Sequence, residues 1–308
     1  MKECKMEKRE IISRINELRK KRGAVILAHN YELGEIQDIA DFQGDSLELS
    51  IRAAETDAAE IVFCGVRFMA ETAKILSPGK RVILPAPHAG CEMADMADAE
   101  SLRALKAQHP GALTVCYVNS TAAVKAECDM CVTSANAVRI VKGLPRDREI
   151  IFVPDRNLGS HCAAEAGRDL ILWDGCCPVH ARMTPEMMAR RRAEYPGVPI
   201  LMHPEAPPEV AQMADELLST GGILRFVRES AGKAFIIATE IGILHRLQME
   251  NPDKKFIPLT EQAICPHMKM IRLEDLLRAL ETGETEVTVP EELRQKAEKP
   301  IRAMLQFP

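Results

Sequence analysis

Three apolar runs in the chain end in side chains that could bind or protonate a small molecule. "AVILAHNY" ends at His29, Asn30 and Tyr31, "LTVCYVNS" carries Tyr117 and Asn119, and "PILMHPE" ends at His203 and Glu205. Imidazole, phenol and carboxylate are the groups that move protons in general acid–base chemistry. Taking His29, Tyr117 and His203 as equivalent, the spacing is 88 residues and then 86. Other reactive residues keep that register. Ser46, Ser134 and Thr220 each lie 17 residues beyond their anchor, in the small-residue contexts "GDS", "TSAN" and "STGG". A cysteine follows in every copy: Cys91 at 62 residues, Cys177 at 60 and Cys265 at 62.

One thiol per copy is an odd set for structural zinc, which takes four ligands and usually close pairs. It suits an iron–sulfur cluster, because three thiolates on a 4Fe-4S cluster leave the fourth iron open as a Lewis acid. In "WDGCCPVH" two adjacent cysteines compete for the role. Cys176 falls at 59 and Cys177 at 60, which favours Cys177 only slightly. The following proline decides more, since "CPVH" pairs with "CPHM" and aligns Cys177-Pro178 with Cys265-Pro266. Cys177 is the expected ligand and Cys176 its packed neighbour. His180 and His267 follow their cysteines at +3 and +2, where a histidine can orient ligands or substrate; for His267 an ordinary polar loop role fits as well. His161, in "GSHC", has no counterpart in the other copies.

The elements that position these residues repeat with them. A second apolar run follows each anchor ("IVFCG", "IIFVP", "FIIAT"), then a third ("VILPAP", "LILWDG", "FIPLT"), with helical patterns between. Apolar runs alternating with helices are the mark of βαβ units. The chain therefore reads as a triplicated βαβαβα unit: an α/β protein of three pseudo-threefold-related α/β/α domains with small parallel sheets. The expected divisions are residues 1–108, 109–195 and 196–282. The tail 283–308 resembles the start of a fourth copy and is expected to return and complete the first domain. Open parallel sheets bind ligands beyond the carboxyl ends of their strands, so the active site is expected at the central junction of the three domains.

Bulk composition agrees. The chain has 308 residues, 46% hydrophobic and only 4% aromatic, and 40 basic against 45 acidic side chains give a net charge of -5. That balance, without a long Lys/Arg run, argues against nucleic-acid or anionic-membrane binding. The N-terminal segment is charged and helical in pattern rather than signal-like, and no stretch reaches the length of a membrane span. A cytoplasmic protein is expected, whose ten cysteines stay reduced and are core residues, metal ligands or nucleophiles. "CDMC", Cys128 to Cys131, has no second pair and is read as helix-end or core packing, as are Cys4, Cys64, Cys116 and Cys162.

Taken together, "AHNYE", "GDSL", "GCEMAD", "YVNSTAAVKA", "CVTSANA", "FVPDRNLG", "WDGCCPVH", "HPE", "STGG", "ATEIGILHRL" and "CPHMKM" resemble bacterial quinolinate synthases from about residue 24 to 282. The resemblance implies a 4Fe-4S cluster with one iron not bound by cysteine, ligated by Cys91, Cys177 and Cys265. It implies condensation of iminoaspartate with dihydroxyacetone phosphate to quinolinate, phosphate and two waters in NAD biosynthesis, with the cluster a Lewis acid. It places substrate binding on His29, Ser46, Tyr117, Asn119, Ser134, His203, Glu205 and Thr220, and catalysis on Tyr31 and Glu205 with His203. Iminoaspartate would come free or from L-aspartate oxidase or an aspartate dehydrogenase. Two features depart from the family: Ala206 follows "HPE" where a cysteine is common, and Cys265 has no neighbouring cysteines. Competing readings are another iron–sulfur hydro-lyase acting on a small carboxylate, a cluster-based sensor and a zinc protein.

Overall fold

The computed structural model describes residues 7–307, so Cys4 lies outside the described residues. Three four-stranded sheets follow one another along the chain. The first contains β1 (Ala24–His29), β2 (Phe42–Gly44), β3 (Glu60–Cys64) and β4 (Arg81–Ile83). In the second are β5 (Leu113–Tyr117), β6 (Met130–Val132), β7 (Ile150–Val153) and β8 (Ile171–Leu172); β9 (Ile200–Met202), β10 (Glu216–Leu217), β11 (Ala234–Ala238) and β12 (Lys255–Pro258) make the third. All pairs of strands are parallel, and the order is the same each time: β2-β1-β3-β4, β6-β5-β7-β8 and β10-β9-β11-β12. This is the α/β architecture of three small parallel sheets with helices that the repeat predicts.

Each sheet holds one strand more than the three apolar runs suggest. The extra strands, β2, β6 and β10, are two or three residues long, too short to show periodicity. A carboxylate docks each of them. Asp41, Asp129 and Asp215, each 12 residues beyond its anchor, accept a hydrogen bond from the backbone N–H of Ile26, Thr114 and Ile200 at 2.8, 2.8 and 2.7 Å. The backbone N–H of each aspartate donates in turn to the carbonyl of the same residue. A single aspartate thus satisfies a donor and an acceptor where an edge strand joins the sheet, the pairing that buried backbone groups require.

The central strands are apolar throughout because both sheet faces are covered, as parallel sheets require. Ile26, Leu27, Ile151, Phe152, Leu201 and Ile236 are fully buried. In the chain order first–second–third of each sheet the strand order reverses between the first and third strands, so a crevice opens at their carboxyl ends. His29 ends β1, Tyr117 ends β5, and His203 directly follows β9. Ser46 and Thr220 open the helices that follow β2 and β10 and Ser134 lies in the loop after β6, while the loops after β4, β8 and β12 carry Cys91, Cys177 and Cys265.

The tail runs antiparallel beside β4, where the Leu84 N–H donates to the Thr285 carbonyl (3.0 Å) and the Val287 N–H to that of Val82 (2.8 Å). Its helix Glu291–Leu305 buries Ala297, Ile301 and Met304 against the core of the second sheet and also packs on the helix Arg67–Leu76 of the first. Among the described residues no helix is long and apolar enough to cross a membrane.

Candidate active site

One pocket is lined by His29, Tyr31, Ser46, Cys91, Tyr117, Asn119, Ser134, Cys177, His203, Glu205, Thr220 and Cys265. All twelve residues singled out in the sequence are therefore brought together. Ser46 opens the helix Ser46–Glu55, capped by Asp45, whose Oδ1 accepts from the N–H of Leu47 and Glu48 (both 3.0 Å). Thr220 opens the helix Thr220–Glu229, capped by Ser219. These two hydroxyls stand at helix starts, where the local dipole favours an anion. No Lys or Arg lines the pocket among the described residues. The Asn119 Oδ1 is buried and has no hydrogen-bond partner, and an acceptor in that state is a position for a ligand donor.

Within the pocket the reactive side chains form one continuous hydrogen-bonded chain. The Tyr31 hydroxyl bonds to the Thr239 Oγ1. Thr239 Oγ1 is 2.8 Å from His180 Nε2, and His180 Nδ1 is 2.8 Å from Glu205 Oε2. The Tyr117 hydroxyl donates to Glu205 Oε1 at 2.6 Å. These partners fix the tautomer of His180: Nδ1–H donates to the carboxylate and Nε2 accepts from the threonine. Hydroxyl, imidazole and carboxylate in that order are the arrangement that activates or protonates a hydroxyl in hydrolases. The chain crosses between units, since Tyr31 comes from the first, Tyr117 and His180 from the second, and Glu205 and Thr239 from the third.

Burial alone would push the Glu205 carboxyl up, yet His203, His180 and the Tyr117 hydroxyl hold it below its ordinary value. His203 is itself pushed down to about 4, chiefly by burial, so at neutral pH it is uncharged. The hydrogen bonds from His180 and Tyr117 therefore do most to keep Glu205 ionised near pH 7. Burial and the Glu205 charge push both Tyr31 and Tyr117 well above the ordinary phenol range, so both enter the chain as proton donors. His29 is pushed down to about 3, again chiefly by burial. His29 Nδ1 accepts from the Tyr31 N–H (3.2 Å) and His203 Nδ1 from the Glu205 N–H (3.4 Å), an identical turn in the first and third units. Both rings thus carry their proton on Nε2, and that of His203 is 3.1 Å from Ser134 Oγ.

The three pocket thiols are held by polar neighbours. His267 Nδ1 accepts from the N–H of Gly90, next to Cys91, at 3.2 Å; His180 Nδ1 is 3.2 Å from Cys177 Sγ; Glu240 Oε1 accepts from the Cys265 N–H at 3.1 Å. Gly175 sets the path to Cys177, because a Cβ there would lie 2.5 Å from the Pro154 carbonyl oxygen. Cys176 does not line the pocket and is half-buried rather than packed. Burial pushes Cys91 up to about 12 and raises Cys177 and Cys265. Such thiols ionise only when a metal displaces their protons. Among the described residues, the sole group of three potential ligand atoms lying within 4.8 Å of one another is Cys177, His180 and Glu205. The three thiols therefore do not close on one ion. Soft donors spread around one pocket fit a polynuclear iron–sulfur centre better than a mononuclear zinc site.

A family model described as "Quinolinate synthetase A protein" matches residues 13–306. The chain belongs to the quinolinate synthetase A family. It is 54% identical over 298 residues to a quinolinate synthase of Dehalococcoides mccartyi, covering 96% of this chain and 98% of the relative. Quinolinate synthases of Pelobacter propionicus and Methanoregula boonei are each 52% identical, over 97% and 94% of this chain and 98% and 95% of theirs. Thr239 and Glu240, both buried at the site, were not found by the repeat. They follow β11; the same positions hold Gly65 and Val66 after β3 and Pro154 and Asp155 after β7, so Thr239 has no counterpart and Glu240 has one carboxylate counterpart, Asp155.

Proposed function

We propose that the protein condenses iminoaspartate with dihydroxyacetone phosphate to give quinolinate, inorganic phosphate and two waters, in NAD biosynthesis. The observation that carries this reading is the unbroken chain Tyr31–Thr239–His180–Glu205–Tyr117, set in the same pocket as the thiols of Cys91, Cys177 and Cys265. The reaction loses two waters and a phosphate, and each loss needs a proton delivered to a departing oxygen.

Cys91, Cys177 and Cys265 would hold a 4Fe-4S cluster. Bound there, the cluster would supply a Lewis acid that polarises a hydroxyl or carboxylate oxygen of the intermediate. Ser46 and Thr220 at their helix starts, with Ser134, Asn119 and the Nε2–H groups of His29 and His203, would bind the carboxylates and the phosphate through neutral donors. Tyr31 is the protonated group that can donate from its hydroxyl, which Thr239 and His180 orient. Glu205, ionised and joined to both tyrosines through this network, is the base that can remove a proton during tautomerisation. A reducing compartment, the cytoplasm, suits an exposed iron that oxygen would remove.

The test is direct. Protein reconstituted anaerobically with iron and sulfide, given dihydroxyacetone phosphate, oxaloacetate and ammonia, should form quinolinate detectable by mass. A fully loaded sample that yields none, but hydrates or dehydrates a small carboxylate, would instead favour the hydro-lyase reading.

A further inference from the structure

Glu240, which lines the pocket, and Lys269 form a second polar cluster. Glu240 is 1% exposed and its two carboxylate oxygens receive four contacts from three donor groups. The Oε1 atom accepts from the Cys265 N–H at 3.1 Å, Oε2 from the Gly242 N–H at 2.7 Å, and the Lys269 ammonium approaches both at 3.0 and 3.1 Å. Lys269 also donates to the backbone carbonyl of Tyr31. These contacts close tightly around Gly242, where a Cβ would lie 2.6 Å from Lys269 Nζ, 2.6 Å from the Tyr31 carbonyl oxygen and 2.7 Å from Glu240 Oε2. Glu32 faces Lys269 as well, but neither of its buried oxygens makes a hydrogen bond, so the ammonium's bonded carboxylate is Glu240.

One ion pair thereby joins two segments that are far apart in sequence and arrive from different units. On one side is the turn carrying Tyr31 and on the other the loop carrying Cys265. We infer that Glu240 and Lys269 are a positioning pair that holds the Tyr31 turn and the Cys265 loop in fixed relation. Neither residue needs to touch substrate to do this. The inference deepens the proposed function and rests on it for the meaning of turnover, but its structural half stands on the backbone contacts alone.

Glu240 and Lys269 could also simply neutralise each other, since removing one member of a buried pair strands the other charge. Three variants separate the two roles: Lys269→Met, Glu240→Gln and the double variant. In cluster-free protein, alkylation of each cysteine by iodoacetamide is followed by peptide mass. If the pair positions the loop, Lys269→Met raises the rate at Cys265 by ~10-fold while Cys91 and Cys177 stay within about twofold, because freeing a held loop exposes its thiol to reagent. In reconstituted protein kcat falls by ~10-fold with KM little changed, the mark of displaced catalytic geometry rather than lost binding. The double variant removes both charges and recovers the melting temperature, yet keeps the fast Cys265 labelling and the low kcat.

Recovery of labelling and kcat together with melting temperature would reduce the pair to charge balance and overturn the inference. So would unchanged Cys265 labelling in Lys269→Met, or equal acceleration at all three thiols. If Lys269→Met does not fold, the double variant decides by the same readouts. Should the wild-type protein make no quinolinate, the labelling pattern still tests the pair while the proposed function fails separately.

Discussion

Cys91, Cys177 and Cys265 come from three units and meet at one pocket, whereas Cys116, Cys128 and Cys131 come from one unit and are enclosed behind its sheet. Cys116 and Cys131 are register partners on β5 and β6, and the Cys128 thiol bonds to the Val124 carbonyl at 3.1 Å. Beside them Lys125 is fully buried, its ammonium bonded to Thr72 Oγ1 at 2.8 Å and lying 5.3 Å from the Phe68 ring centroid. Burial lowers the Lys125 amine and opposes ionisation of Cys116, but hydrogen bonds from the Cys128 and Cys131 thiols hold Cys116 below its ordinary value. Closeness in sequence, as in "CDMC", made a packed thiol group whose members do not line the pocket. The other trio, separated by more than eighty residues at each step, faces the ligand. What distinguishes them is where each sits: on β5, on β6 and in the turn before β6 for one, in carboxyl-end loops for the other.

Substitution should separate the two trios most sharply in metal content. Cys91→Ala, Cys177→Ala and Cys265→Ala are each expected to lose nearly all iron and sulfide, and with them activity, when protein prepared without air is analysed. Cys176→Ala should keep both, and equal loss in all four variants would overturn the choice of ligands. Next in size are changes that leave the thiols alone and cut the proton chain. Tyr31→Phe should retain the cluster and slow turnover by ~100-fold, the lower end of general acid–base contributions, and Thr239→Val, which acts through its neighbours, should slow it less; steady-state kinetics at matched iron content checks both.

Acid provides a third contrast, because the pocket and not the enclosed trio holds buried neutral histidines. His203 is held down to about 4 and His29 to about 3 against an ordinary value of 6.5. As pH falls below about 6.5 the unfolded chain takes up these protons and the folded protein does not, so stability is present near neutrality and lost towards pH 4. The His203 share is on the order of 3 kcal/mol. Chemical denaturation between pH 7 and 4 should show this decline, and His203→Gln should flatten it. Smallest of all, Cys131→Ala should cost about 1–2 kcal/mol through a small core cavity and leave iron content unchanged. Loss of iron in that variant would mean that the enclosed trio is coupled to the pocket after all.

The part of this design visible in the sequence is the part that repeats. The anchors at His29, Tyr117 and His203, the hydroxyls 17 residues on and the late cysteines share a register because three equivalent strand ends deliver them. Asp41, Asp129 and Asp215 repeat just as regularly, and their spacing could have revealed the edge strands β2, β6 and β10. Periodicity could not, since two or three residues carry none. Thr239, Glu240 and Lys269 are a different matter. Thr239 and Lys269 have no counterpart in the other units and Glu240 only Asp155 of the second, and their roles arise only when Tyr31 of the first unit and His180 of the second are brought against them. A threefold repeat supplies equivalent positions, but chemistry on an asymmetric substrate must break the equivalence.

The absence of ammonium and guanidinium groups along the pocket wall, among the described residues, bears on how turnover ends. For the proposed reaction the phosphate arrives as an ester and leaves as a free ion of similar charge. Neutral hydroxyl, amide and imidazole donors can seat the ester through hydrogen bonds, yet they offer no opposite charge to hold the freed ion. Such a wall favours departure over retention, so inorganic phosphate should inhibit weakly and the empty site should be quickly regained.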